Sequence, residues 1–232
     1  MATTHASKPR RKPKTISVPP SAPLADVTTL GDLLKRLGNI PPERVRLHPT
    51  PGTATEKDVI EILDRENRPC ELVEGTLVEK PMGYEESEIA VTIIISLGSF
   101  VRPRKLGIVT GEAGTIRLFQ GLVRIPDVAF ASWACFPDRK RPKTPIPHLA
   151  PDLVVEVLSK SNTKAEMNRK LGEYFAAGVR LVWMVDPRKR TVRVYTAVDQ
   201  SVLIKEGQSL DGGAVLPGFV LPLDELFAND EP

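Results

Sequence analysis

Cysteine and histidine are scarce in this chain, and their scarcity removes several chemistries at once. Cys70 and Cys135 are the only cysteines among 232 residues, too few for a disulfide framework or a cysteine-built zinc site. A reducing compartment is the natural reading. The three histidines, His5, His48 and His148, are scattered over tail and loop, so neither a zinc site nor a Ser-His-Asp arrangement can be read. No G-x-x-x-x-G-K-[ST] phosphate loop occurs, and no G-x-G-x-x-G follows a strand-like run. Ser159 and Ser161 lack the flanking glycines of a nucleophile elbow. Long apolar runs are missing too. The longest, Ile89 to Leu97, is broken by Thr92 and Ser96 and is too short to cross a bilayer. The N-terminus has a charged start without an apolar stretch, unlike a secretory signal. Pro9, Pro13, Pro19, Pro20 and Pro23 oppose the amphipathic helix of a transit peptide. These absences predict a soluble, cytoplasmic protein with no membrane partner.

What is present divides the chain. Residues 1–20 hold Lys8, Arg10, Arg11, Lys12 and Lys14 and no acid, which more than accounts for the net charge of +3. The rest is therefore about neutral. The first 27 or so residues are Pro-rich, basic and free of aromatics, the composition of a disordered arm. Two readings of it stand: a weak attraction to nucleic acid phosphates, or a solvated tail without a partner. Thr29 to Leu37 places Leu30, Leu33, Leu34 and Leu37 on one helical face, and Pro41, Pro42, Pro49 and Pro51 mark a linker. The expected division is an arm and linker over residues 1–54, a folded domain over 55–228 and a short tail over 229–232.

Within the domain, apolar spacing predicts a helix opening at Thr55, a hairpin over Glu71–Glu79 turning near Gly75, and a helix from Glu85 to Phe100. Strands are expected near 106–119, 122–131 and 152–158. A Pro-rich basic loop over Pro137–Pro151 separates the last two. A second helix, Thr163 to Ala177, ends at Gly178. Strands over 180–186 and 191–197 follow, and Leu216–Phe227 closes the domain. Helix, hairpin, helix, strands, helix, strands is a mixed α/β (α+β) order with no internal repeat.

Two acids stand out because they sit in apolar, strand-like segments: Asp127 in Ile-Pro-Asp-Val-Ala-Phe and Glu156 in Leu-Val-Val-Glu-Val-Leu. A carboxylate among such side chains is costly unless a cation, a proton or a donor compensates it. Either acid alone reads equally well as a satisfied structural carboxylate. The pair, on successive strands, can share one hard divalent cation, which takes oxygen ligands and completes its shell with water or substrate phosphate. Such an ion activates water and neutralises charge developing at phosphorus. Lys170 lies at the margin of the stripe formed by Met167, Leu171, Tyr174 and Phe175. It reads either as the accompanying cation or as a surface lysine with a snorkelling stem. Glu74, beside the hairpin bend, reads as a solvated turn residue.

These residues together resemble a family. Pro126-Asp127, Glu156-Val157-Leu158-Ser159, Lys170-Leu171-Gly172-Glu173-Tyr174 and Ala177-Gly178-Val179 resemble the Uma-type restriction endonucleases of the PD-(D/E)XK nuclease superfamily. Glu71-Leu72-Val73-Glu74-Gly75 and Val182-Trp183-Met184-Val185-Asp186-Pro187 extend the resemblance over about residues 56–200. It implies a restriction-endonuclease-like fold, a central mixed sheet flanked by helices, and cleavage of DNA with magnesium, or manganese in its place. By motif, Asp127 and Glu156 are the two metal-binding acids, Lys170 the lysine and Glu74 a further site acid. The chain departs from the pattern in carrying Leu158 where the superfamily lysine ordinarily stands. Glu86 replaces a histidine common among relatives, and Lys160 replaces a proline and is a rival cation. The expectation is thus a metal-dependent endodeoxyribonuclease, with a homodimer left open. The competing expectation is a nuclease-fold binding or scaffold module without turnover.

Overall fold

The computed structural model describes Leu24 and residues 26–81 and 83–228. Its first helix, α1 (Leu30–Arg36), opens with a capping box in which Thr29 Oγ1 accepts the Asp32 backbone N–H at 3.1 Å and Asp32 accepts that of Thr29 at 3.0 Å. Leu33, Leu37, Ile40 and Val45 are all buried. The body therefore begins near Thr29 rather than at Thr55. The prolines that suggested a linker flank a short turn whose Arg44 is itself buried and forks onto Glu166 at 2.8 and 3.1 Å. Most of the predicted basic arm, residues 1–23 among it, lies outside the described residues.

Helix α2 (Glu56–Glu66) leads into the hairpin β1 (Cys70–Val73) and β2 (Thr76–Glu79). Its two turn residues, Glu74 and Gly75, have φ of 51° and 69°, the left-handed pair that a tight hairpin requires. A Cβ on Gly75 would stand 2.5 Å from the Gly52 backbone, so glycine is needed there twice over. Helix α3 (Tyr84–Val101) and strands β3 (Gly107–Thr110), β4 (Ile116–Phe119), β5 (Leu122–Arg124), β6 (Val128–Ser132) and β7 (Leu153–Val157) follow. Helix α4 (Lys164–Ala177) then crosses to β8 (Leu181–Asp186). The rest is β9 (Thr191–Ala197), β10 (Gln200–Lys205), β11 (Ser209–Asp211), β12 (Val220–Pro222) and α5 (Leu223–Leu226).

The strands form a four-stranded sheet ordered β2-β1-β5-β4, a six-stranded sheet ordered β10-β9-β8-β7-β6-β3, and a two-stranded ribbon of β11 and β12. Among the described residues, β7 and β8 are the only strands that pair in parallel, and α4 is their crossover. The stretches expected as single strands over 106–119 and 122–131 are each two strands in different sheets. Residues 111–115 turn the first. Ile125-Pro126-Asp127 breaks the second, since Pro126 has no N–H to give to a ladder. That break is a corner: the chain leaves the small sheet at Arg124 and enters the large one at Val128.

Helices cover both faces of the large sheet. Ile89, Ile93, Leu97 and Val101 of α3 pack with Val128, Phe130, Leu153, Val155 and Trp183. Met167, Leu171 and Tyr174 of α4 pack with Val154, Val182 and Met184 on the opposite side. Alternation along β7 assigns Leu153, Val155 and Val157 to the first face and Val154 to the second. Glu156 is thereby turned toward α4. Thr163 caps α4, its Oγ1 accepting Glu166 N–H at 3.0 Å, and Gly178 at φ 104° closes it.

Candidate active site

The two acids lie on neighbouring stretches of chain near the corner between the sheets. Strands β6 and β7 are antiparallel with Val128 opposite Val155, and one step further along that register sets Asp127 opposite Glu156. Asp127 Oδ2 accepts the Val157 N–H at 2.6 Å, so the corner residue is pinned to the neighbouring strand beside Glu156. Its Oδ1 pairs with Lys80 Nζ at 2.8 Å. The same ammonium donates to the Ile125 carbonyl at 2.8 Å. Lys80 thus closes the end of β2 over the corner, with its side chain only 5% exposed.

Glu156 is compensated from α4. Lys170 Nζ lies 3.1 Å from Glu156 Oε2 and 3.1 Å from Glu71 Oε1, and the Tyr174 hydroxyl donates to Glu156 Oε1. Lys170 is buried, not a surface lysine. Burial raises the Glu156 carboxyl above its ordinary pKa; Lys170 opposes that shift, while the nearby charges of Asp127 and Glu71 reinforce it. Burial alone would lower the Lys170 ammonium, yet Glu156 and Glu71 hold it above the usual lysine range. Burial likewise raises Tyr174, with the negative charge of Glu156 adding to it, so the phenol stays a donor.

Glu71, unlike Glu74, reaches Lys170. It also accepts Arg124 at 2.7 Å and the Ile125 N–H at 3.2 Å. Glu74, a turn residue at positive φ, pairs instead with Arg36 and with Arg169 at 2.7 Å. The two glutamates are nonetheless the inner and outer parts of one chain of ion pairs. Arg169 continues to Glu173 at 2.8 Å, and Glu173 to Arg124 at 2.5 Å. From the outside inward it runs Arg36, Glu74, Arg169, Glu173, Arg124, Glu71, Lys170, Glu156. Lys160 is exposed on the loop after β7, and Leu158 bears no charge, so Lys170 is the lysine that touches Glu156.

Glu71, Lys80, Arg124, Glu173 and Tyr174 escaped the sequence reading as site residues. Glu71 had a signal, since it is an acid in Cys-Glu-Leu-Val, as anomalous as the two acids that were noticed. Lys80 had none; only the folded hairpin brings it to the corner. Burial would push Glu71 up, but Lys170 and Arg124 outweigh that and hold it at about 2. A carboxyl depressed on folding stabilises above its unfolded pKa, and that contribution is lost as pH falls toward the folded value. Acid unfolding between about pH 5 and 2 is therefore expected to be shallower in Glu71→Gln, as followed by circular dichroism. An unchanged acid limb would remove Glu71 from the balance.

The donor set suits a hard cation. Asp127 and Glu156 offer carboxylate oxygens; burial chiefly raises Glu156, with the charges of Asp127 and Glu71 adding to it. Among the described residues, no three His, Cys, Asp or Glu side chains gather as a ready cage. Two carboxylates alone could supply only part of a magnesium ion's oxygen shell, the rest coming from water or substrate. Lys80 Nζ already stands on Asp127 Oδ1.

The fold is thus a mixed sheet between helices, with one acid at the corner before β6, one on β7 and a lysine from the crossover helix. A solved structure described as a putative nuclease belonging to DUF820, from Anabaena variabilis ATCC 29413, shares the fold with a TM-score of 0.61. The two are 22% identical, over 69% of this chain and 90% of that one. The chain belongs to the family described as Uma2, putative restriction endonuclease, which it matches over residues 57–224. No curated protein matches it. Among the described residues, no helix is long and apolar enough to cross a membrane.

Proposed function

We propose that the protein is a metal-dependent endonuclease that hydrolyses phosphodiester bonds of DNA. The observation that carries this reading is the placement of Asp127, pinned by the Val157 N–H, beside the β7 strand that holds Glu156, with Lys170 on the Glu156 carboxylate. Magnesium, or manganese, held by Asp127 and Glu156 would activate water and offset charge on the scissile phosphate. The chain's own residues set the stage. Val157 N–H fixes one Asp127 oxygen, and Tyr174 and Lys170 fix the Glu156 carboxylate. The chain of ion pairs running outward from Lys170 holds that ammonium in place. Family membership and the shared fold support the same reading.

Purified protein incubated with plasmid and with single-stranded DNA is expected to cut with magnesium and to stop with EDTA. A binding or scaffold module would retain DNA and cut nothing under either condition, and that result would replace the proposal. Lys80 supplies a second measurement. If its ammonium competes for Asp127, Lys80→Met is expected to bind manganese at least about tenfold more tightly by calorimetry, the scale of one removed competing charge. Equal affinities would show that Lys80 does not contest the site.

A further inference from the structure

Helix α3 buries Ile89, Ile93, Leu97 and Val101, and its opposite face is open to solvent. That face carries Tyr84, Glu88, Val91, Ile95, Ser99 and Arg102, spaced by three or four residues as a single stripe. Its middle is apolar and uncovered, with Val91 50% and Ile95 62% exposed. Its two ends are charged with opposite sign. Neither Glu88 nor Arg102 is in an ion pair among the described residues. Beside Ile95 the surface dips into an open groove lined by Ile94, Gly98, Ser99, Arg102 and Val109. A Cβ on Gly98 would meet nothing within 4 Å, so room for a neighbour's side chain lies directly over it.

The arrangement is symmetric about Ile95. Glu88 precedes it by seven residues and Arg102 follows it by seven, while Val91 precedes it by four and Ser99 follows it by four. We infer that this face is the docking surface for a second copy of the chain, packed helix to helix and antiparallel about a two-fold axis at Ile95. In that register Glu88 meets the partner's Arg102 at both ends of the contact. Val91 settles over the partner's Gly98 and Ser99, and Ile95 meets the partner's Ile95. A two-fold contact must be self-complementary in this way. The parallel alternative sets Glu88 against the partner's Glu88, which opposes it. The charges fix orientation more than they add affinity, and the apolar middle supplies the attraction. An 18-residue helix spans about 27 Å, and one helix pair is smaller than a standard interface of about 800 Å² per partner. The dimer is therefore a weak one that forms as concentration rises. This inference stands apart from the nuclease reading, because no residue of the stripe is among those that contact Asp127, Glu156 or Lys170.

Sedimentation velocity over a concentration series on the full chain tests it. The wild type is expected to pass from monomer to dimer. Ile95→Glu, Glu88→Arg and Arg102→Glu should each remain monomeric, with unchanged circular dichroism showing that the exposed substitutions leave the fold intact. The double exchange Glu88→Arg with Arg102→Glu should dimerise again, and a mixture of the two single charge variants should form heterodimers. A wild type that stays monomeric throughout overturns the inference, as does a double exchange no more dimeric than its singles. Dimerisation that begins only when residues 1–23 are deleted would overturn it too, by showing that the chain's own N-terminal segment covers the face.

Discussion

Asp127→Asn and Glu156→Gln are each expected to reduce metal-dependent cleavage of plasmid DNA by at least about 10²-fold, the scale of losing one group that stabilises transition-state charge. Each change keeps size and shape and removes one charge from the pair that would hold the ion. Their effects on the fold should differ. The Glu156 carboxyl is raised by burial and by neighbouring acids, so its contribution to stability is present at low pH and lost as pH rises through its folded pKa. Glu156→Gln removes that penalty and is expected to leave thermal stability near wild type or above it. Asp127→Asn strips Lys80 of its anion and leaves a buried ammonium held by the Ile125 carbonyl alone. It should therefore destabilise. Full activity in either variant would remove that acid from the chemistry, and equal melting shifts would refute the distinction between them.

Lys170→Met is expected to cost about 3–5 kcal/mol, the usual penalty for removing one partner of a buried ion pair. The ammonium bridges Glu71 and Glu156, and without it two buried carboxylates face each other with Arg124 as the nearest counter-charge to Glu71. Adding Glu156→Gln to Lys170→Met should recover a large part of the loss, because Glu71 keeps Arg124. Urea denaturation of the two singles and the double measures this. A Lys170→Met loss under about 1 kcal/mol, the scale of a surface pair, would return Lys170 to a surface role. Lys160→Met is the natural control and should change little.

The elements around the site were legible because their periodicities are clean. The helix expected over 85–100 is α3, and that expected over 163–177 is α4, each within a residue at either end. Period-two alternation in β7 then turns Glu156 to the α4 face. The nuclease fold and the family were reached from motifs strung along those elements. The missing parts depend on contacts between elements distant in sequence. Lys80 meets Asp127 from 47 residues away, and no local pattern announces that. Lys170 looked marginal on a helical wheel because the wheel does not include Glu71 and Glu156, the two acids that draw it inward. The stretch before Thr55 was misread as linker for a related reason. Its prolines report local stiffness, while the burial of Leu33, Ile40 and Val45 is decided by the sheet and α4 behind them.

The ion pairs from Arg36 to Glu156 alternate in sign through eight side chains, four cations and four anions, and Lys80 with Asp127 adds a ninth and tenth. The cluster is electroneutral as it stands. A divalent ion entering alone would tip it to a surplus of two positive charges in a poorly solvated seam. An ion entering together with a DNA phosphate would leave a surplus of only one. If the proposed ion and DNA both bind here, they are thermodynamic partners, each raising the affinity for the other by the same factor. On the reading proposed above, the free protein would therefore hold the metal ion more weakly than the protein with a DNA phosphate beside it.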